Sequence, residues 1–264
     1  MLFLHLPRRG IIMELIDTHA HLEDIEQLDE ALTKAEQAGI TKIITMGVDK
    51  KSNQWALNES SKHVRLNLKI YPALGIHPGW IDEQRIDADL KFIEENISKI
   101  TAVGEIGLDY WYKAVRKDEQ KKNLQRETFR RLLEVAKKHK KPVSIHSRGA
   151  WTDCVNTVIE TGVEKAVFHW FTGALSVLKK LLDKGYYVSA TPALSYSKEH
   201  KSIIENTPLD RILLETDSPV TYQGESAEPC QVLKALHYVA ELKKEKKETV
   251  AQITTENAKK VFGF

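Results

Sequence analysis

Short apolar runs alternate with amphipathic stretches eight times along this chain, and no other feature constrains the fold as strongly. Apolar residues at Ile25, Leu28, Ala31, Leu32 and Ala35 carry the period of a helix over 25–38, and Gly39 stops it. The same reading predicts a first strand ending in Asp17-Thr18-His19-Ala20-His21, then strands over 42–48, 68–77, 101–106, 143–146, 165–169, 186–190 and 211–215. Helices over 50–64, 84–97, 117–141, 151–161, 174–183 and 198–206 separate them. Strands joined by crossover helices run parallel, because antiparallel neighbours need only tight turns. Eight such units predict an α/β protein built as a TIM (β/α)8 barrel, regular or distorted, with extra C-terminal helices over 232–244 and 249–262 wrapping the outside. A doubly wound open sheet competes, but no Gly-x-Gly-x-x-Gly follows the first strand.

The 264 residues bury a large core and are read as one barrel domain over 1–264, in which Met13 directly precedes the first strand and 1–12 form an N-terminal extension. In that extension the basic pair Arg8-Arg9 follows the apolar run and Pro7 breaks it, which is the wrong order for a signal peptide. Cys154 and Cys230 are too few for a disulfide framework and too far apart for a zinc knuckle, so both are expected as buried or half-buried thiols in a reducing compartment. The expectation is a soluble cytoplasmic protein with no membrane segment and no obligate protein partner. Thirty-nine basic against 37 acidic residues give a net charge of +2, so any polyanion must be gripped locally. The basic run Lys243 to Lys247 reads as a solvated helix face.

Chemistry-bearing residues recur where the strands end: His19 and His21, His77, Glu105, His146, His169 and Asp217. On a strand, residues two apart share a face, so His19 and His21 can reach one ion. A parallel barrel gathers all its C-terminal strand ends on one rim, which turns residues far apart in sequence into neighbours. Six ligands, His19, His21, Glu105, His146, His169 and Asp217, exceed what one tetrahedral ion accepts and suit two divalent ions. The reading assigns His19, His21 and Asp217 to one ion and His146 and His169 to the other, with Glu105 bridging. Asp217 doubles as general base toward the attacking water. The mixture of imidazole and carboxylate takes Mg²⁺, Mn²⁺ or Zn²⁺ alike.

Two such ions, set against the two carboxylates and a hydroxide, leave a site charge of about +1, which favours an anionic group such as phosphate. Arg148 follows His146 by two residues and suits a bidentate phosphate contact, and His77 is read as a second phosphate contact. Of the rim aromatics Trp80, Tyr110, Trp111, Tyr112, Trp170 and Phe171, most are expected to pack the loops, with Trp111 and Tyr112 the ones to stack a nucleobase.

The series Ile16-Asp17-Thr18-His19-Ala20-His21-Leu22, Gly75-Ile76-His77-Pro78, Gly104-Glu105-Ile106-Gly107-Leu108-Asp109-Tyr110, His146-Ser147-Arg148, His169-Trp170-Phe171-Thr172-Gly173 and Glu215-Thr216-Asp217-Ser218-Pro219 resembles the TatD family of metal-dependent deoxyribonucleases. The resemblance runs from about residue 15 to the end and includes 257–262, which is similar to the family's closing helix. It implies an amidohydrolase-type barrel, two divalent ions, metal roles for the same six residues, and hydrolysis of DNA phosphodiesters, often from a 3′ end. Two departures stand out: Gly79-Trp80 replaces a second histidine usual after Gly-x-His-Pro, and Thr221 follows Val220 where an aromatic and a leucine are usual. The expected function is therefore an exonuclease acting on DNA ends through a water activated by two ions. A hydrolase of a small amide, ester or lactone on the same barrel is the alternative, and a binding protein without activity is a third.

Overall fold

A computed structural model describes residues 13–63, 65 and 67–264. The segment 1–12, and with it the expected N-terminal extension, lies outside the described residues.

Eight parallel strands stand side by side in chain order: β1 (Leu15–Ala20), β2 (Ile40–Met46), β3 (Lys69–Leu74), β4 (Ala102–Gly107), β5 (Val143–His146), β6 (Ala166–Phe168), β7 (Tyr187–Ala190) and β8 (Ile212–Leu214). Between them lie α1 (Leu28–Gln37), α2 (Lys50–Glu59), α3 (Ile86–Glu95), α4 (Glu119–Lys138), α5 (Trp151–Thr161), α6 (Leu175–Asp183) and α7 (Lys198–Asn206). The arrangement is a (β/α)8 barrel, and its strands are buried nearly throughout, as a sheet covered on both faces requires. Local chemistry sets the helix ends. Asp49 and Ser52 cap α2 reciprocally, Asp118 accepts from Lys121 N at the start of α4, and Gly162 closes α5 at φ 75°.

Barrel closure between β8 and β1 is made at the rim. Thr18 Oγ1 donates to Leu214 O at 2.9 Å, Asp217 N to His19 O at 2.9 Å, and His21 N to Ser218 O at 2.7 Å. These bonds bring the first histidine pair and the last acid side by side although 196 residues separate Thr18 from Leu214.

Several boundaries differ from those read in the sequence. Helix 25–38 starts only at Leu28, because residues Leu22–Asp24 make a 3₁₀ turn directly after His21. Helix 50–64 ends at Glu59, and Val64 lies outside the described residues. Strand 68–77 ends at Leu74, so His77 is a loop residue, tied down by donating its N–H to Val48 O at 2.9 Å.

The last two helices are α8 (Val232–Lys243) and α9 (Lys247–Phe262), and only α8 takes the expected outer place. Helix α9 crosses the N-terminal end of the barrel. Thr255 Oγ1 donates to Glu14 O, Asn257 Nδ2 to Ile212 O, and Lys165 Nζ to Lys260 O, all at strand starts. Its Ala258, Val261 and Phe262 join the inward-facing Ile16, Ile44, Met46, Ala73, Val167 and Leu213, so apolar side chains plug the end opposite the histidines. The basic run 243–247 is not one solvated helix face but the turn between α8 and α9, where Lys244 takes a left-handed φ of 55°. A hairpin, β9 (Thr221–Tyr222) and β10 (Glu225–Ser226), turns through Gln223 and Gly224, both at positive φ, as a two-residue hairpin turn demands. Among the described residues, no helix is long and apolar enough to cross a membrane.

Candidate metal centre

At the C-terminal rim, Glu105, two residues before the end of β4, presents its two oxygens to different neighbours. Oε2 lies 3.5 Å from both His19 Nε2 and His21 Nε2. Oε1 lies 2.9 Å from His146 Nδ1, 2.9 Å from His169 Nε2 and 3.6 Å from His77 Nε2. Asp217 Oδ1 stands 3.3 Å from His21 Nε2 and 3.6 Å from His19 Nε2. The residues expected to serve one ion therefore surround one oxygen of Glu105, and those expected to serve the other surround its second oxygen.

His19 tests whether this cluster fits a cation. Its Nδ1 is 3.1 Å from Ser144 Oγ, and burial pushes its pKa down, so the ring is neutral and turns its Nε2 toward the two carboxylates. That Nε2 is buried and has no hydrogen-bond partner among the described residues. An orphaned buried nitrogen facing two carboxylate oxygens is costly unless a cation joins them. Ligand atoms about 2.0–2.2 Å from a shared ion lie roughly 3–3.5 Å apart, the range seen here. The residues fit.

His77 differs from the other imidazoles. Its Nδ1 accepts from Gly79 N at 3.0 Å, and burial lowers its pKa to about 3. The neutral ring therefore carries its proton on Nε2 and turns a donor, rather than a lone pair, into the centre. Burial works against the charge of Glu105, yet the facing imidazoles of His77, His169 and His146 hold it well below the usual carboxylate range. Burial also opposes the charge on His21, but the bond to Asp217 and the Glu105 charge lift its pKa to about 9. His21 thus carries a proton that a cation must displace.

The centre floors a cleft of about 840 Å³. Trp111, Arg148, Trp151, Trp170 and Tyr196 line its walls. Arg148 Nε donates to Asp109 Oδ2 at 2.8 Å and its guanidinium lies 5.0 Å above the Tyr112 ring. Among the described residues its terminal nitrogens have no protein partner. Trp111 leaves 64 % of its surface exposed at the mouth. Tyr112, its expected companion, is instead half-buried against Gly79 and Arg148 and does not line the cleft. Of the other rim aromatics, Phe171 is buried, Tyr110 hydrogen-bonds Asp153, Trp170 packs on Tyr222, and Trp80 points to solvent.

Residues 16–263 match the family model described as TatD related DNase. The chain belongs to the TatD-related DNase family. It is 34 % identical to the uncharacterized metal-dependent hydrolase YabD of Bacillus subtilis, over 94 % of this chain and 98 % of that one. It is 31 % identical to the human protein named deoxyribonuclease TATDN3, covering 94 % of each. Among solved structures, the TatD homologue YJJV of Escherichia coli K12 superposes with a TM-score of 0.84 at 26 % identity, over 96 % of this chain and all of that one.

Three acids of this TatD-family site carry no role in the sequence reading. Asp109, fully buried, receives His146 Nε2 at 2.9 Å, Arg148 Nε and the N–H of Trp111. Glu215, also buried, accepts from Trp170 N and stands 3.5 Å from His169 Nδ1. Asp17 accepts from the N–H groups of His19 and Thr216 and lies 2.5 Å from Thr216 Oγ1, and burial pushes its carboxyl up to about 8. Asp17 and Glu215 each sit two residues from a ligand candidate and Asp109 four from Glu105, and that proximity is the signal the sequence carries. The departure at Thr221 opens the β9–β10 hairpin, whose Tyr222 hydroxyl donates to Thr216 O at 2.7 Å and braces the backbone before Asp217.

Proposed function

We propose that this chain hydrolyses phosphodiester bonds of DNA, working from 3′ ends with two divalent ions in its barrel mouth. The observation that carries this reading is Glu105, whose two oxygens face separate groups of imidazoles beneath a cleft with free guanidinium nitrogens. His19, His21 and Asp217 would hold one ion and His146 and His169 the other, with Glu105 between them; Mg²⁺, Mn²⁺ or Zn²⁺ suits this mixture. When bound, such ions lower the pKa of water and offset charge growing on phosphoryl oxygens.

The protein's own groups do the rest. Arg148 offers its unpaired terminal nitrogens to one phosphate oxygen or two, held in aim by Asp109. His77 Nε2–H adds a neutral donor beside Glu105 Oε1. Asp217, held below the ordinary carboxylate pKa against the cost of burial by His21 and its neighbours, accepts a proton from the attacking water. Trp111 offers an exposed ring to an unpaired base. The human relative's name and the B. subtilis relative's name support the substrate class and the metal requirement. The unpaired thiols Cys154 and Cys230 support a cytoplasmic site of action.

The test is cleavage of end-labelled single-stranded DNA by purified protein with Mg²⁺ or Mn²⁺. Chelator-sensitive release of nucleotides from the 3′ end is expected. No metal-dependent cleavage between pH 6 and 9 would overturn the reading, and turnover of an ester or amide panel instead would replace the substrate class.

A further inference from the structure

The rim around the cleft is electrically lopsided. Its loops and first helical turns expose acids after four of the eight strands: Asp24 after β1, Asp82 and Glu83 after β3, Glu199 after β7 and Glu225 after β8. Lys50 and Lys51, at the start of α2, face Glu23 and Asp24 across the rim of β1, with Lys51 acting on Glu23, and Lys198 adjoins Glu199 in sequence. The β4–α4 connection differs. It exposes Lys113, Arg116 and Lys117, and among the described residues no carboxylate lies within 4.0 Å of any of the three charges. Asp109, its buried acid, is already bonded to His146 and Arg148, and Asp118 caps α4. Trp111 begins this connection and lines the cleft, and Arg148 follows on the adjacent strand β5. Free positive charge at the mouth is thus densest in this sector, where three such groups stand together and are continuous with the floor of the site, against Lys50 and Lys51 after β2 and Lys198 after β7.

The aromatic in that sector is braced. Trp111 lies against Gly149, where an added Cβ would come within 2.2 Å of its ring, and its backbone N–H donates to Asp109 Oδ1 at 2.8 Å. Its outer face stays free for an unpaired base. A cleft of about 840 Å³ holds a small-molecule-sized unit, so the remainder of a long strand must leave it across the rim. Acidic sectors repel that strand, and the β4–α4 sector attracts it.

We propose that the β4–α4 connection is an exit track for the single-stranded tail of the nucleic-acid substrate, with a base on Trp111 and successive phosphates paired to Lys113, Arg116 and Lys117. This rests on the reading that the cleft takes nucleic-acid phosphodiesters, and it adds the direction in which the uncleaved strand runs. It also makes long single strands better substrates than short ones, because a dinucleotide cannot reach the track.

The experiment compares wild type with Lys113→Gln/Arg116→Gln/Lys117→Gln and with a control, Lys137→Gln/Lys140→Gln/Lys184→Gln, which removes the same charge at the opposite end of the barrel. Two readouts are taken: kcat and KM on a twenty-nucleotide single strand and on bis(p-nitrophenyl) phosphate, and fluorescence anisotropy of the labelled strand with chelator present. The track variant is expected to lower the preference for the long strand over the small diester at least tenfold through KM. It should also flatten the plot of log affinity against log salt by about 2, for three phosphate contacts on a single strand. The control should leave both unchanged. Wild-type cleavage of DNA with an unchanged ratio in the track variant, or equal losses in both triple variants, would overturn the track and leave the nuclease reading standing. A wild-type protein that neither binds nor cleaves the strand would overturn both.

Discussion

Asp109 Oδ2 lies 2.9 Å from His146 Nε2, while the other nitrogen of that imidazole faces Glu105 Oε1 at the same distance. The same Asp109 oxygen holds Arg148 Nε at 2.8 Å, so one buried carboxylate orients a candidate metal ligand and a substrate contact together. Partners of this kind set the tautomer and basicity of a ligating histidine. Asp109→Asn is expected to lower metal affinity and kcat/KM by about 10–100-fold. Arg148→Gln should raise KM and leave metal affinity unchanged. Titration calorimetry with Mn²⁺ beside steady-state kinetics separates the two; equal metal affinity in Asp109→Asn would refute the shared role.

Glu105 faces both groups of imidazoles, so Glu105→Ala should abolish activity and lower the amount of metal bound per chain, with circular dichroism unchanged. Metal binding should also depend on pH. His21, with its pKa raised to about 9, must lose its proton to ligate, so apparent affinity rises as pH increases toward 9 and falls below it. A ligand at 100 times its Kd stabilises by about 2.7 kcal/mol. At one Mn²⁺ concentration below saturation, the Tm increase is expected to be larger at pH 8 than at pH 6. Identical increases would rule out proton displacement from the ligands.

Gly107 ends β4 at φ 145°, and a Cβ there would lie 1.9 Å from His146 O. Leu108 N donates to that same carbonyl at 3.0 Å, so the contact sets how closely β4 approaches β5 and hence how Glu105 meets His146. Gly107→Ala is expected to cost about 3 kcal/mol or more, through backbone strain and displaced strands. Gly185→Ala, at φ 77° with nothing within 4 Å, should cost only about 1–2 kcal/mol. Urea melts compare the two, and equal costs would contradict the close-approach explanation.

Glu14 joins Lys42 on β2 and Lys259 on α9, at 2.9 and 2.7 Å. Burial works against its charge, but these two lysines bring its pKa down from 4.5 to about 2. Because the folded value lies below the unfolded one, the stabilisation is fully present above about pH 4.5 and fades as pH falls toward 2. The pairs are half-exposed, so each contributes about 0.2–1 kcal/mol. Glu14→Gln should lower stability by that order at pH 7, with the gap to wild type narrowing by pH 3.5. A gap constant with pH would show that packing, not charge, accounts for it.

Much of this molecule is legible in one dimension. The alternation of strand and helix periods specifies a parallel barrel, because each apolar run needs two covered faces and each crossover needs a helix. That architecture alone places residues at strand ends on one rim, which is why His19, Glu105, His146, His169 and Asp217 stand out in the chain although Glu105 and Asp217 are 112 positions apart. Tertiary structure decided what periodicity does not encode. The hydrogen bonds of the β8–β1 seam set His21 beside Asp217, and Gly79 N–H selects the tautomer that makes His77 a donor. Asp109 became the partner of His146 only because β4 and β5 are neighbours, and α9 plugs the barrel floor because Ala258, Val261 and Phe262 meet the inward layer. Such relationships depend on distances between strands and on which nitrogen finds a partner, quantities that exist only once the barrel has closed.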